Sequence, residues 1–228
     1  MNRFLSLALA ALLLAPCVSA ADLPASAAPS GPETAAASAV LMEKESGAVL
    51  YEKDARQKLE PASVTKIMTL LLIMEALDSG RIARDDMVTV SAYAAGMGGS
   101  QVYLKEGEQM TVHDMLKAVA VVSGNDAAVA LAEHIAGSEE GFVERMNRRA
   151  AELGMTGTSF ANPNGLDQEG HYSTARDMAR LAACAVKNET LVRLCSTRSV
   201  TVGGRTMTNH NRLLRSIDGC IGLKTGYT

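Results

Sequence analysis

The chain reads as an α+β fold, and three features carry that reading. Short strand-like runs stand near both ends, helix-periodic segments fill the middle, and two Thr-x-x-Asp capping signatures open helices inside that block. Strands and helices segregated in this way imply an antiparallel sheet drawn from both chain ends and covered by a central helical block. With 228 residues, 47% apolar and 21% charged, the chain can build one sizeable core or two small ones. Aromatics are scarce at 4%, Trp is absent, and twelve Met imply a core packed with flexible side chains. The net charge of −3 and the absence of a Lys/Arg cluster give no reason to expect nucleic-acid binding.

Residues 1–20 read as a secretory signal peptide: Arg3 is the positive n-region, Phe4 to Leu14 the apolar h-region, and Val18-Ser19-Ala20 the small-residue cleavage site. Pro16 argues against Cys17 as a lipidated residue, and the apolar run is short of the ~20 residues needed to span a bilayer. Export is therefore expected. Residues 21–37, rich in Ala, Ser and Pro, read as a disordered linker, and 38–228 as the catalytic domain. Removal of Cys17 leaves Cys184, Cys195 and Cys220, which allow one disulfide without fixing the pair. These cysteines lack metal-ligand spacing, His113, His134, His171 and His210 are scattered, and neither a metal nor another cofactor is expected.

Taken in order, Ala39–Met42 and Ala48–Tyr51 predict a hairpin turning near Gly47. Pro61 precedes a helix in which Ile67, Leu70, Leu71, Met74 and Leu77 share a face up to Gly80. Residues 87–90 and 101–104 read as strands on either side of a Gly-rich loop. Thr111 opens a helix to Val122, which breaks at Ser123-Gly124-Asn125 and resumes through Ile135 to Gly137. A third helix runs from Ser138 to Gly154, and a fourth opens at Thr174. Residues 197–208 read as a strand pair turning at Gly203-Gly204, and 221–226 as a last strand.

Three polar clusters fall at the edges of these elements: Ser63-Val64-Thr65-Lys66, Ser123-Gly124-Asn125 and Lys224-Thr225-Gly226. Each alone is weak. Ser63 is an ordinary helix-start residue, Ser-Gly-Asn an ordinary turn, Lys-Thr-Gly an ordinary strand end. In this order they match the S-x-x-K, S-x-N, K-T-G set of serine β-lactamases and penicillin-binding proteins. With Phe160-Ala161-Asn162-Pro163-Asn164-Gly165-Leu166 and the stretch from Gly219 to Thr228, the chain resembles the D-alanyl-D-alanine carboxypeptidases of the S11 peptidase family, the low-molecular-mass penicillin-binding proteins.

That resemblance implies a serine-type enzyme that trims peptidoglycan stem peptides ending in D-Ala-D-Ala and is acylated by β-lactam antibiotics. Ser63 would be the nucleophile, Lys66 its base, Ser123 a proton relay, and Asn125 the residue that orients substrate and Lys66. Lys224, Thr225 and Gly226 would bind substrate, and the backbone N–H of Tyr227 would be an oxyanion donor beside that of Ser63. The expected location is the bacterial cell envelope. Relatives continue with further strands, a helix and often a second domain with a membrane-associating tail. The chain is therefore expected to be incomplete after Thr228, poorly folded or inactive by itself, with peripheral membrane association only through that missing region. A β-lactamase-like hydrolase is disfavoured because no Glu-x-x-Leu-Asn stretch follows. A non-catalytic penicillin-sensing or peptidoglycan-binding module is the other alternative.

Overall fold

The computed structural model describes residues 31–227. The expected signal peptide and most of the expected linker lie outside them. Within Thr34–Tyr227, six strands and eight helices follow the α+β order. They are β1 (Ala39–Met42), β2 (Val49–Lys53), α1 (Lys66–Asp78), β3 (Met87–Thr89), α2 (Ala92–Ala95), β4 (Gln109–Thr111), α3 (Val112–Val122), α4 (Asn125–Ala136), α5 (Glu139–Glu152), α6 (Ala175–Ala185), α7 (Glu189–Ser196), β5 (Ser199–Val202), β6 (Arg205–Thr208) and α8 (Leu213–Ser216).

Helix α1 is the axis of the molecule. Residues 66–74 are buried without interruption, so α1 is enclosed on all sides, as a helix apolar all round must be. Met68, Leu70, Ile73 and Met74 are essentially inaccessible to solvent, each stabilising the fold by roughly 1.5–3 kcal/mol. Helices α3 to α7 pack around it. Their starts follow the sequence: Thr111, Ser138, Thr174 and Asn188 each accept a backbone N–H of the first turn. The Asp partners of the two Thr caps do other work. Asp114 pairs with Lys117, and Asp177 accepts from the Gly157 amide and the Thr158 hydroxyl.

The strands fall into three separate two-stranded antiparallel sheets, β1–β2, β3–β4 and β5–β6. The hairpin at 199–208 turns at Gly203 and Gly204, both at positive φ as a tight primed turn requires. Two expected strands are not strands. Residues 101–104 alternate as expected, Val102 and Leu104 buried and Tyr103 exposed, but their amides do not join a ladder. The Val102 and Leu104 N–H groups donate to the buried carboxylate of Asp126. Residues 221–226 likewise have no ladder partner among the described residues. Instead, Ile221, Leu223 and Lys224 line a groove of about 650 Å³ whose other wall includes β1 and whose base includes Val64, Ile67 and Met178. β1 and residues 221–224 thus meet at one groove without pairing.

Candidate active site

Ser63 sits in a 3-10 turn, residues 62–65, that feeds α1. The approach to it is pinned by a two-way bridge between Leu59 and Ser173. One helical turn separates Ser63 from Lys66, which places both side chains on one side. Lys66 is fully buried, and its Nζ lies 3.1 Å from Ser63 Oγ, 2.6 Å from Asn125 Oδ1 and 2.5 Å from the Asn164 carbonyl. The two last groups can only accept. A neutral amine has two N–H donors and one lone pair, so with both hydrogens given to Asn125 and Asn164 the lone pair faces the Ser63 hydroxyl.

Burial drives the Lys66 pKa well below its usual value, and the charge of Lys224 pushes it the same way against the opposing pull of Asp126. Lys224 is itself lowered to about 8 by burial. The arrangement therefore favours an uncharged amine against the serine hydroxyl, the state that can take its proton.

Ser123 closes α3 in the left-handed conformation, φ 64°, a strained setting for a residue with a side chain. Its hydroxyl is buried and has no hydrogen-bond partner among the described residues. Asn125 opens α4 and is held from three sides: its N–H donates to Ser100 O, its Nδ2 to Gly98 O, and its Oδ1 faces Lys66. The Gly-rich loop at 96–100, which the sequence presents as a plain connection, is what grips Asn125. A Cβ on Gly99 would lie 2.8 Å from Asn125 Nδ2.

The C-terminal segment supplies the rest. Lys224 Nζ donates to the Thr225 carbonyl at 2.8 Å. Gly226 lies against the nucleophile turn, where a Cβ would meet Val64 Cγ2 at 3.1 Å and Pro61 O at 3.2 Å. Tyr227 is fully exposed. The amides of Ser63 and Tyr227 have no acceptor among the described residues. Cys184, Cys195 and Cys220 are all free thiols; Cys195 is buried against Gly222, and burial pushes its pKa to about 12.

Of the residues singled out from sequence, Ser63, Lys66 and Asn125 are in direct contact, while Lys224 acts on Lys66 through its charge. Ser123 does not bond Lys66. Sequence reasoning missed the brace formed by residues 160–171. The Thr69 hydroxyl donates to Pro163 O at 2.6 Å, Gly165 backs onto Ala62 O and Ser63 N, and His171 Nε2 lies 2.8 Å from Thr65 Oγ1. The Ala161 N–H donates to His171 Nδ1, which fixes the neutral tautomer with Nε2–H donating to Thr65. The available signal was the concentration of Asn, Pro and Gly at 162–165, too many turn formers for an ordinary connection.

Residues 25–228 match the family described as Peptidase S11, D-alanyl-D-alanine carboxypeptidase. The chain is 52% identical over 198 residues to the D-alanyl-D-alanine carboxypeptidase DacF of Bacillus subtilis, covering 85% of this chain and 51% of that protein. It is 43% identical over 197 residues to DacC of Escherichia coli, covering 83% and 49%. The chain thus spans about half the length of these relatives. Among solved structures it superposes on penicillin binding protein 5 from Haemophilus influenzae with a TM-score of 0.83 at 39% identity, covering 86% of this chain and 59% of that one. The fold is that of the penicillin-binding proteins, and the chain belongs to the S11 family of D-alanyl-D-alanine carboxypeptidases.

Proposed function

We propose that residues 38–228 form the catalytic part of a serine-type D-Ala-D-Ala carboxypeptidase. The observation that carries the reading is the wholly buried Lys66 amine, whose Nζ lies within hydrogen-bond distance of Asn125 Oδ1, the Asn164 carbonyl and Ser63 Oγ together. In this mechanism Lys66 takes the Ser63 proton as Oγ bonds to the carbonyl carbon between the two terminal D-alanines. The developing oxyanion is held by the free amides of Ser63 and Tyr227. The C–N bond breaks, and the proton passes through Ser123 to the amine of the departing D-alanine. Water then cleaves the ester and restores Ser63. Lys224 attracts the terminal carboxylate with Thr225 beside it, and the same geometry admits the carboxylate of a β-lactam. Gly226 keeps the segment close to the nucleophile turn.

Residues 1–20 are proposed as an export signal and 21–37 as a linker, which places the enzyme's work in the cell envelope on peptidoglycan stem peptides.

The test is incubation of the purified protein with a fluorescent penicillin, with digestion to locate the label, alongside D-alanine release from a pentapeptide. Covalent label on Ser63 and release lost in Ser63→Ala are the expected results. A folded protein that takes no label, or takes it elsewhere, overturns the reading.

A further inference from the structure

Asp126 is inaccessible to solvent, yet it takes no part in the proton transfers at Ser63. A carboxylate is enclosed in this way only where its oxygens are bonded. Here the partners are three backbone amides. Oδ2 accepts the Val102 N–H at 3.1 Å and the Leu104 N–H at 3.0 Å, and Oδ1 accepts that of Ala127 at 2.9 Å. The first turn of α4, where Asp126 stands, adds the positive end of a helix dipole.

Two amides two positions apart reach one oxygen because the residue between them turns. Tyr103 lies in the left-handed region, φ 58°, with its ring exposed. A bulky residue keeps that conformation only where its surroundings hold it. The carboxylate does so, gathering the flanking N–H groups around an anion. The same loop also grips the neighbouring residue. Ser100 O accepts the Asn125 N–H at 2.7 Å, Gly98 O accepts from its Nδ2 at 2.7 Å, and its Oδ1 lies 2.6 Å from Lys66 Nζ. Asn125 and Asp126 thus hold one loop at two places, and of the two only Asn125 bonds Lys66.

We infer that Asp126 is a positioning residue of the Ser63 reaction: by fixing residues 102–104 it sets where Gly98 and Ser100 hold Asn125, and hence where Asn125 holds Lys66. This rests on the Ser63 carboxypeptidase reading. The choice of a carboxylate has an electrostatic consequence. Its negative charge favours the ammonium form of Lys66, against burial and Lys224, which favour the amine. Arg205 on β6, paired first with Glu108, is also within electrostatic reach of Asp126. An asparagine at this position would have one acceptor oxygen and an NH2 turned toward a donor, so it could not serve all three amides. Holding the loop therefore outweighs the opposing charge.

Penicillin acylation rates in a double-variant cycle test the inference. A folded wild-type protein that takes no penicillin overturns the Ser63 reading and this inference with it. Asp126→Ala leaves three buried amides unpaired and should slow acylation about 10-fold or more. In an Asn125→Ala background the same change should cost less than about 2-fold, because the loop then has no side chain to position. Asp126→Asn keeps the shape and one acceptor but removes the charge. It should slow acylation less than Asp126→Ala and move the acid limb of the rate to lower pH, which loss of packing alone would not do. Acylation unchanged in Asp126→Ala, or losses that multiply in full in the Asn125→Ala background, overturn the inference. So does an acid limb that stays in place in Asp126→Asn. Where Asp126→Ala does not fold, Asp126→Asn carries the cycle, and a loss that multiplies in full there is equally fatal.

Discussion

Lys66 Nζ and Asn125 Oδ1 lie 2.6 Å apart inside the protein, although 59 positions separate them in sequence. The contact joins the first turn of α1 to the first turn of α4 and leaves the amine no direction for its lone pair except toward Ser63. Asn125 is held in turn by Gly98 and Ser100, so the position of the lysine depends on a loop that reaches it only through Asn125.

Replacing Asn125 tests that dependence. Asn125→Ala leaves the buried amine one acceptor short, a loss of ~1–3 kcal/mol, or roughly 5- to 150-fold in penicillin acylation rate. Asn125→Asp is the sharper variant. A carboxylate there favours the ammonium form, raises the Lys66 pKa, and should slow acylation at neutral pH with recovery at higher pH. A rate unchanged in both variants would remove Asn125 from the account.

The two lysines set opposite limbs of the pH profile. Acylation should rise with pH as Lys66 loses its proton, from a value held well below the usual lysine range. It should fall again as Lys224 loses its charge near about 8, because the neutral residue no longer attracts a carboxylate or keeps Lys66 uncharged. Lys224→Gln should abolish the upper limb and move the lower limb upward. Stopped-flow acylation across the pH range checks this, and an unaltered bell in Lys224→Gln counts against it.

Gly165 should tolerate no side chain. Its φ is +83°, and a Cβ would collide with the Ala62 carbonyl. Left-handed strain of ~1–2 kcal/mol and overpacking of ~1–3 kcal/mol both act against Gly165→Ala. Chemical denaturation should show a loss above about 2 kcal/mol, and acylation should slow because the displaced group is the Ser63 turn. Wild-type stability in this variant would refute the close approach.

His171 should make the fold acid-sensitive. Burial lowers its pKa below 6.5, so the unfolded chain binds more protons in the window beneath that value. Stability then falls as pH drops below about 6.5, when protonation costs the Ala161 bond to Nδ1. His113 and His210 shift in the same direction, so the His171 share is read from a variant. The slope of unfolding free energy against pH should flatten in His171→Gln; equal slopes would assign the effect to the other histidines.

Much of this was legible in the sequence. The helices at 112–122, 139–152 and 175–185 follow from apolar spacing and from side chains that cap their first turns, and the helix at 125–136 from apolar spacing between Gly124 and Gly137. So does the hairpin at 199–208, whose two glycines admit only a few turns. Misses arose where a tertiary partner replaced a local one. The alternation of Val102, Tyr103 and Leu104 is real, but Asp126 takes the amides that a strand would have used. Helix α7 was overlooked although Asn188 caps it, and β4 was overlooked because three residues carry too little pattern.

Sequence alone determined which residue types stand at the site, since Ser63, Lys66 and Asn125 occupy helix starts specified by neighbours a few positions away. Whether Lys66 is a solvated first-turn residue or a buried amine with a lowered pKa was decided only by tertiary structure. Desolvation, the field of Lys224 and the bonds to Asn125 and Asn164 come from parts of the chain 59 to 158 positions distant. No periodicity of a local segment encodes what will later enclose it. The same holds for the brace at 160–171, whose turn-forming residues acquire meaning only where Gly165 meets Ala62.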